Sequence, residues 1–190
     1  TEGKGRNIGG KHRKPSFGAN LKYFWDYQVD FMYLRYFMWN FAGRQNDLQP
    51  SYPGEMFKGN WESGIKFIDQ IRLGDQSEGP DYIVDSKARN HFYFLPLILG
   101  LIGLFYQLRR DQKNWMVTML LFVLTGIAIV VYLNQPPMQP RERDYAYAGS
   151  FYTFAIWIGL GVMWISELLR KISSPAAASA VASIIGILVP

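Results

Sequence analysis

The sequence predicts an all-α transmembrane chain: a fragment of a polytopic helical bundle with an interfacial aromatic helix and an irregular external loop. Three observations carry this. Residues 1–90 hold 13 of the 20 Lys and Arg and 11 of the 15 Asp and Glu, leaving 7 and 4 for residues 91–190. Those late charges gather in three short clusters, separated by uncharged apolar runs close to the roughly 17–25 residues that a helix needs to cross a bilayer. The chain opens at Thr1 without Met or a signal-peptide pattern and closes at Pro190 inside an apolar run, so a piece of a larger protein is expected. Mean hydropathy is close to zero, but that average conceals the division, and an ordinary water-soluble domain is excluded.

Four spans follow, near 92–108, 115–133, 150–166 and 172–190, behind an external or interfacial segment over 1–90. The first begins with Phe92, Tyr93 and Phe94, an aromatic belt, and stops at Arg109 and Arg110. Trp115 and Tyr132 bracket the second; Phe151 and Tyr152 open the third, which Glu167, Arg170 and Lys171 close. The fourth is uncharged and rich in Ala and Ser. Ala178, Ala182 and Gly186, and likewise Ala155 and Gly159, recur every four residues. Such small residues let helix backbones approach closely, or are simply common in membrane helices.

Basic residues in short loops set orientation. Arg109, Arg110 and Lys113, and then Arg170 and Lys171, place the 109–113 and 170–174 turns in the cytoplasm. The 134–149 connection, with Arg141 and Arg143, then lies on the opposite face with the N-terminal segment. That face is the external side of the membrane.

The N-terminal half divides in three. Residues 1–14 are Gly-rich and basic, which reads either as a patch for nucleic acid or anionic lipid or as a flexible surface loop. The loop is the simpler reading, and no nucleic-acid partner is expected. Residues 21–42 predict a helix: Phe24, Tyr27, Phe31, Leu34, Met38 and Phe41 step by three and four, the spacing of one helical face. Asp26, Asp30 and Arg35 argue against a free span, because each central charge costs about 2.5–3.5 kcal/mol on insertion scales. An interfacial, partly protein-covered helix fits better. Asp26 and Asp30, one turn apart, suit either a metal or acid/base role or plain solvation of the polar face. After Gly43, frequent Gly and Pro mark a compact irregular loop over the outer mouth of the bundle, with Asn46 or Asp47 closing its first turn.

Chemistry concentrates in 134–150, NQPPMQPRERDYAYAGS. Pro136, Pro137 and Pro140 stiffen the first part into an extended path. Arg141, Glu142, Arg143 and Asp144 then stand before an aromatic-rich span. In an extended backbone the two arginines share one side. Two guanidinium forks suit a phosphate or pyrophosphate, which each grips bidentately, and Tyr145 and Tyr147 can hydrogen-bond the same group or stack on a sugar. The alternative is that these charges pair with one another, or with Arg44 and Asp47, and only lock the loop. With 2 His and no Cys, thiolate chemistry is absent and a histidine-rich metal site is disfavoured. No cofactor can be named.

The stretches YLNQPP at 132–137 and RERDYAYAGSF at 141–151, with YLRYFMWNFAGRQND at 33–47 and LGD at 73–75, resemble a family of large bacterial membrane proteins, domain-of-unknown-function family 2723, over about residues 20–170. That family is related to the eukaryotic transmembrane protein O-mannosyltransferases of glycosyltransferase fold C. The resemblance implies a polytopic enzyme that moves a sugar from a polyprenyl-phosphate donor to Ser or Thr of an acceptor protein in the bilayer. It also implies a catalytic acid in a loop upstream of this fragment, so none is assigned to Asp26, Asp30 or Asp47. For this piece it implies donor-phosphate binding by Arg141, Arg143, Tyr145 and Tyr147, with Arg44 as a further candidate. Two other classes compete: a non-enzymatic membrane scaffold or assembly factor, and a transporter. Transport is disfavoured because the second and third spans hold no charge at mid-membrane.

Overall fold

A computed structural model describes residues 7–8, 11–12, 14–76, 79–136, 143–171 and 174–188. The described chain is mostly helical. Two short strands, β1 (Asn7–Ile8) and β2 (Lys11–His12), pair antiparallel ahead of the first helix. Helix α1 (Phe17–Tyr23) starts where the Ser16 side chain accepts a hydrogen bond from the Ala19 N–H at 3.2 Å, an N-cap that satisfies one orphan donor. It runs without a break into an 11-residue π-helical segment, Phe24–Leu34, and then α2 (Arg35–Phe41).

The helix expected over 21–42 is therefore present, but its buried face differs from the expected stripe. Val29, Tyr33, Phe37 and Phe41 are buried, a constant step of four. The i→i+5 bonding of a π-helix adds a residue to each hydrogen-bonded ring, so a pattern drawn for 3.6 residues per turn drifts off the true face. Of the expected stripe, Phe41 lies within the α2–α8 core and Met38 packs against its edge, while Phe24 and Leu34 pack against Tyr33, Val130 and Tyr147. Phe31, Leu34 and Met38 also line a cleft on another side of the helix.

After α2 the chain forms a cap over residues 43–94. Strand β3 (Gly43–Arg44) pairs antiparallel with β4 (Asn90–His91), which closes the cap at its base; α3 (Lys66–Leu73) and α4 (Asp81–Val84) lie between them. Gly43 has φ +143°, and a Cβ there would stand 2.1 Å from the Glu62 carbonyl oxygen, so only glycine fits. The interior of the cap is polar. Asn46 is fully buried; its Oδ1 accepts from the N–H groups of Leu48 and Gly59 (3.2 and 2.8 Å), and its Nδ2 donates to the Phe57 carbonyl (2.7 Å). Gln45 bonds Asn60 and Met56 in the same way. Asp69 accepts from Ser63 and from the Gly64 N–H, fixing the approach to α3. Arg89 forks onto buried Glu62 at 2.7 and 2.8 Å. What reads as loop is a knot of satisfied buried amides.

The rest is helical: α5 (Leu95–Arg110), α6 (Gln112–Thr125), α7 (Ile127–Leu133), a 3-10 turn (Asp144–Tyr147), α8 (Ala148–Leu169) and α9 (Pro175–Leu188). Two stretches are long and apolar enough to cross a membrane, Gln112–Leu133 and Tyr145–Leu169. Only 11% and 28% of their most apolar windows are buried, so most of that apolar surface faces outward, unlike the core helix of a soluble domain. The spans expected near 92–108 and 172–190 are shorter. Tyr93 and Phe94 have positive φ and form a turn, so α5 has 16 residues and begins at Leu95. The last helix, α9, has 14.

α5 and α8 meet at glycines. A Cβ on Gly103 would lie 1.8 Å from the Trp157 carbonyl oxygen, and one on Gly161 would lie 2.2 Å from that of Leu99. Trp157 is fully buried beside Phe154, Phe37 and Phe41, joining α2 to α8 in one aromatic core. The small residues of α9 pack as expected: Ala178 and Ala182 are buried, and Gly186 faces Val162 of α8. Ala155 and Gly159 do not. Ala155 is exposed and a Cβ on Gly159 would meet nothing, because α8 turns its Gly161 face to α5 instead.

Candidate functional site

The helix over 17–41 has two working faces. One face holds the start of the 134–150 segment. Asn134 leaves α7 in a left-handed conformation (φ 40°), and its Oδ1 accepts from Gln28 Nε2 at 2.7 Å. The Tyr23 hydroxyl donates to the Gln135 carbonyl at 3.0 Å. Burial first, and then the neighbouring Tyr27, push the Tyr23 phenol up to about 12, against the Gln28 hydrogen bond. The Gln135 amide is buried and makes no hydrogen bond through Nε2 or Oε1 among the described residues. Further along, the Tyr33 hydroxyl donates to Ser150 Oγ (3.1 Å), which donates to the Tyr147 carbonyl (2.8 Å).

The candidates named from sequence separate in this frame. Arg141 lies outside the described residues. Arg143 and Tyr145 are exposed, Tyr145 by 64%, just before α8. Tyr147 is 1% exposed, its ring edge-on to Tyr33 at 5.5 Å, and belongs to the core. Arg44 sits at the base of the cap, its guanidinium 4.3 Å from the Trp39 ring centroid and 5.5 Å from that of Phe92. It is a cation–π clamp between α2 and the strand pair. Asp26, exposed, pairs with Lys22, and Asn46 rather than Asp47 closes the turn after β3.

The second face of the helix lines a cleft of about 420 Å³ beneath the cap. Asp26, Asp30 and Arg35 come from the helix; Glu55, Trp61 and Arg72 come from the cap. Both arginines are held rigidly. Arg35 Nε donates to the Phe31 carbonyl (2.9 Å) and Nη1 to that of Gly59 (2.6 Å). Arg72 lies 3.7 Å from the Trp61 ring centroid and donates to the Trp61 carbonyl, while its Nε is buried without a partner among the described residues. Burial pulls the Arg72 guanidinium down to about 10, against the pull of Asp69, Asp30 and Glu62. The result is a mixed-charge cleft of carbohydrate size, partly apolar, with pre-positioned donors and nearby carboxylates. Sequence reasoning weighed Asp26 and Asp30 but missed Arg35, Trp61 and Arg72, because no local motif joins residues from two separate elements. Among the described residues no group of three or more His, Asp and Glu is placed to hold a metal ion.

No family model, curated protein or solved structure matches this chain.

Proposed function

We propose that this chain is part of a membrane glycosyltransferase resembling the protein O-mannosyltransferases, a piece of a polytopic bundle in a bacterial inner membrane. In this reading a sugar passes from a polyprenyl-phosphate donor to Ser or Thr of an acceptor protein on the periplasmic side. The 134–149 segment takes the donor phosphate and the cleft beneath the cap takes the sugar. One observation carries it: a single helix holds Asn134 and Gln135 through Gln28 and Tyr23, and within a turn presents Asp26 and Asp30 to the cleft. A phosphate gripped beside 134–149 would thus share one helix with a mixed-charge cleft able to take the attached sugar.

The chemistry fits the residues. Loss of the sugar leaves negative charge on the phosphate, which fixed guanidinium groups stabilise without reorganising. Arg143 brings an exposed guanidinium to the N-terminal end of α8, with Arg141 two positions before it in the chain. The start of α8 adds the positive end of a helix dipole. The buried Gln135 amide offers an unspent donor and acceptor to a ligand oxygen. The base that activates the acceptor hydroxyl is expected upstream, as the family resemblance implies.

A scaffold reading is favoured by a different observation: Tyr147 and Arg44 are committed to packing. Binding of a polyprenyl-phosphate sugar to the protein in detergent separates the two. Saturable binding by wild type, weakened at least about tenfold in a still-folded Arg141→Ala/Arg143→Ala variant, is expected, since each charged hydrogen bond contributes about 1.5–3 kcal/mol. Equal binding by the variant, or none by folded wild type across several sugars, supports the scaffold.

A further inference from the structure

We infer that the groove between α5 and α8, at the end of α8 remote from 134–149, is a binding site for an anionic phospholipid. The inference rests on the membrane reading above but not on glycosyl transfer. The groove measures about 760 Å³, with Ile98, Leu101, Ile102 and Phe105 of α5 and Trp164 of α8 as apolar walls. These walls end abruptly at a polar rim. The Tyr106 hydroxyl donates to Glu167 Oε1 at 2.8 Å, and Arg110 Nη1 pairs with the same carboxylate at 2.9 Å. Glu167 is thereby neutralised, leaving Arg109 exposed at the groove mouth with no ion pair among the described residues.

The charge in the chain around these helix ends is predominantly positive. Arg109, Arg110, Lys113, Arg170 and Lys171 face Asp111 and Glu167, five against two, a net of +3. The Asp111 carboxylate is already engaged, capping α6 by accepting from the Asn114 N–H at 3.1 Å. An apolar trough closed by a cationic rim matches a molecule with an acyl chain and an anionic head group. The chain itself gives no selectivity, because bilayer and groove solvate it alike. Discrimination lies at the rim, where one basic side chain near an anionic head group favours it about fivefold. The 22 residues of α8 rise about 33 Å, so this rim and Arg143 stand at opposite ends of that helix.

The test uses protein purified in mixed micelles with equimolar phosphatidylglycerol and phosphatidylcholine, with retained lipids counted by native mass spectrometry. Phosphatidylglycerol is expected to be retained about fivefold or more over phosphatidylcholine. The preference should fall toward parity in Arg109→Ala and be unchanged in Lys87→Ala, an exposed cation in the cap. Leu101→Trp, which fills the groove and keeps the charge, should lower retention of both lipids. Equal retention by wild type, or an undiminished preference in folded Arg109→Ala, overturns the site. Displacement of phosphatidylglycerol by a polyprenyl phosphate also overturns it, by giving the groove to the donor. Failure of the protein to float with phosphatidylcholine vesicles refutes the membrane reading instead.

Discussion

In the cap, one side chain, Asn46, answers three backbone groups, and Gln45, Asn60 and Asp69 repeat the arrangement. Between α5 and α8 the backbones almost touch at Gly103 and Gly161, and Trp157 Nε1 to Gln107 Oε1 at 2.8 Å is one of the few polar contacts. The two regions solve different problems. A segment with little regular structure must find partners for every buried N–H and C=O, and amide side chains supply them. Helices satisfy their own backbones, so their association rests on close packing at small residues. The first device depends on hydrogen-bonding capacity, the second on the absence of atoms.

The contrast can be broken most sharply at Gly103. A methyl there meets the Trp157 carbonyl, an atom that cannot swing aside, so Gly103→Ala should cost about 3 kcal/mol, at the upper end of overpacking penalties. Gly159→Ala, with open space around it, should stay within about 0.5 kcal/mol of wild type. Thermal unfolding of both variants in the same detergent checks the pair, and equal melting points would dismiss the close α5–α8 contact.

Next in size is Asn46→Ala, which strands the N–H groups of Leu48 and Gly59 and the Phe57 carbonyl. A loss of about 2 kcal/mol is expected, within the penalty for leaving buried polar groups unpaired. It should register as amide hydrogen exchange confined to the cap, with α5 and α8 unaffected. Exchange rising evenly across both regions would show that they unfold as one unit.

The smallest effect is one of pH. Burial pushes the Glu55 carboxyl up, but the Ser51 N–H at 2.6 Å and Lys58 at 3.2 Å outweigh it and hold the carboxyl below its ordinary value. A carboxylate depressed in the folded state adds stability above its unfolded pKa and loses it as pH falls through the lowered folded value. Cap stability should therefore decline on acidification below the ordinary carboxylate range, and Glu55→Gln should flatten part of that decline in melts at pH 7 and pH 4. An identical slope in the variant would remove Glu55 from the account.

What could be read from sequence follows the same contrast. The apolar runs at 115–133 and 150–166 were legible because composition alone carries them. The Ala178–Ala182 face was legible from its spacing, but Ala155 and Gly159 show that spacing cannot say which side of α8 another helix will choose. The cap was legible only as punctuation: Asn46, Gln45 and Asp69 look like solvated loop residues until the chain closes round them. The helix over 21–42 was legible in extent and misread in phase, since the π segment is invisible to a 3.6-residue template. Of the candidate site, Arg143 and Tyr145 are exposed just before α8. Tyr147 was beyond reach, because its burial depends on Tyr33, more than a hundred positions away.

The π segment also makes residue count an adjustable setting in its own right. Tyr23 and Gln28 hold Asn134 and Gln135 near one end of the helix, while Tyr33 and Phe37 engage Ser150 and Phe154 near the other. Removing one residue between Phe24 and Leu34 would rotate everything downstream by roughly a quarter turn relative to everything upstream. No single register would then serve both ends. Substitutions can tune either face separately, but an insertion or deletion acts on the two together, like slipping one tooth on a gear.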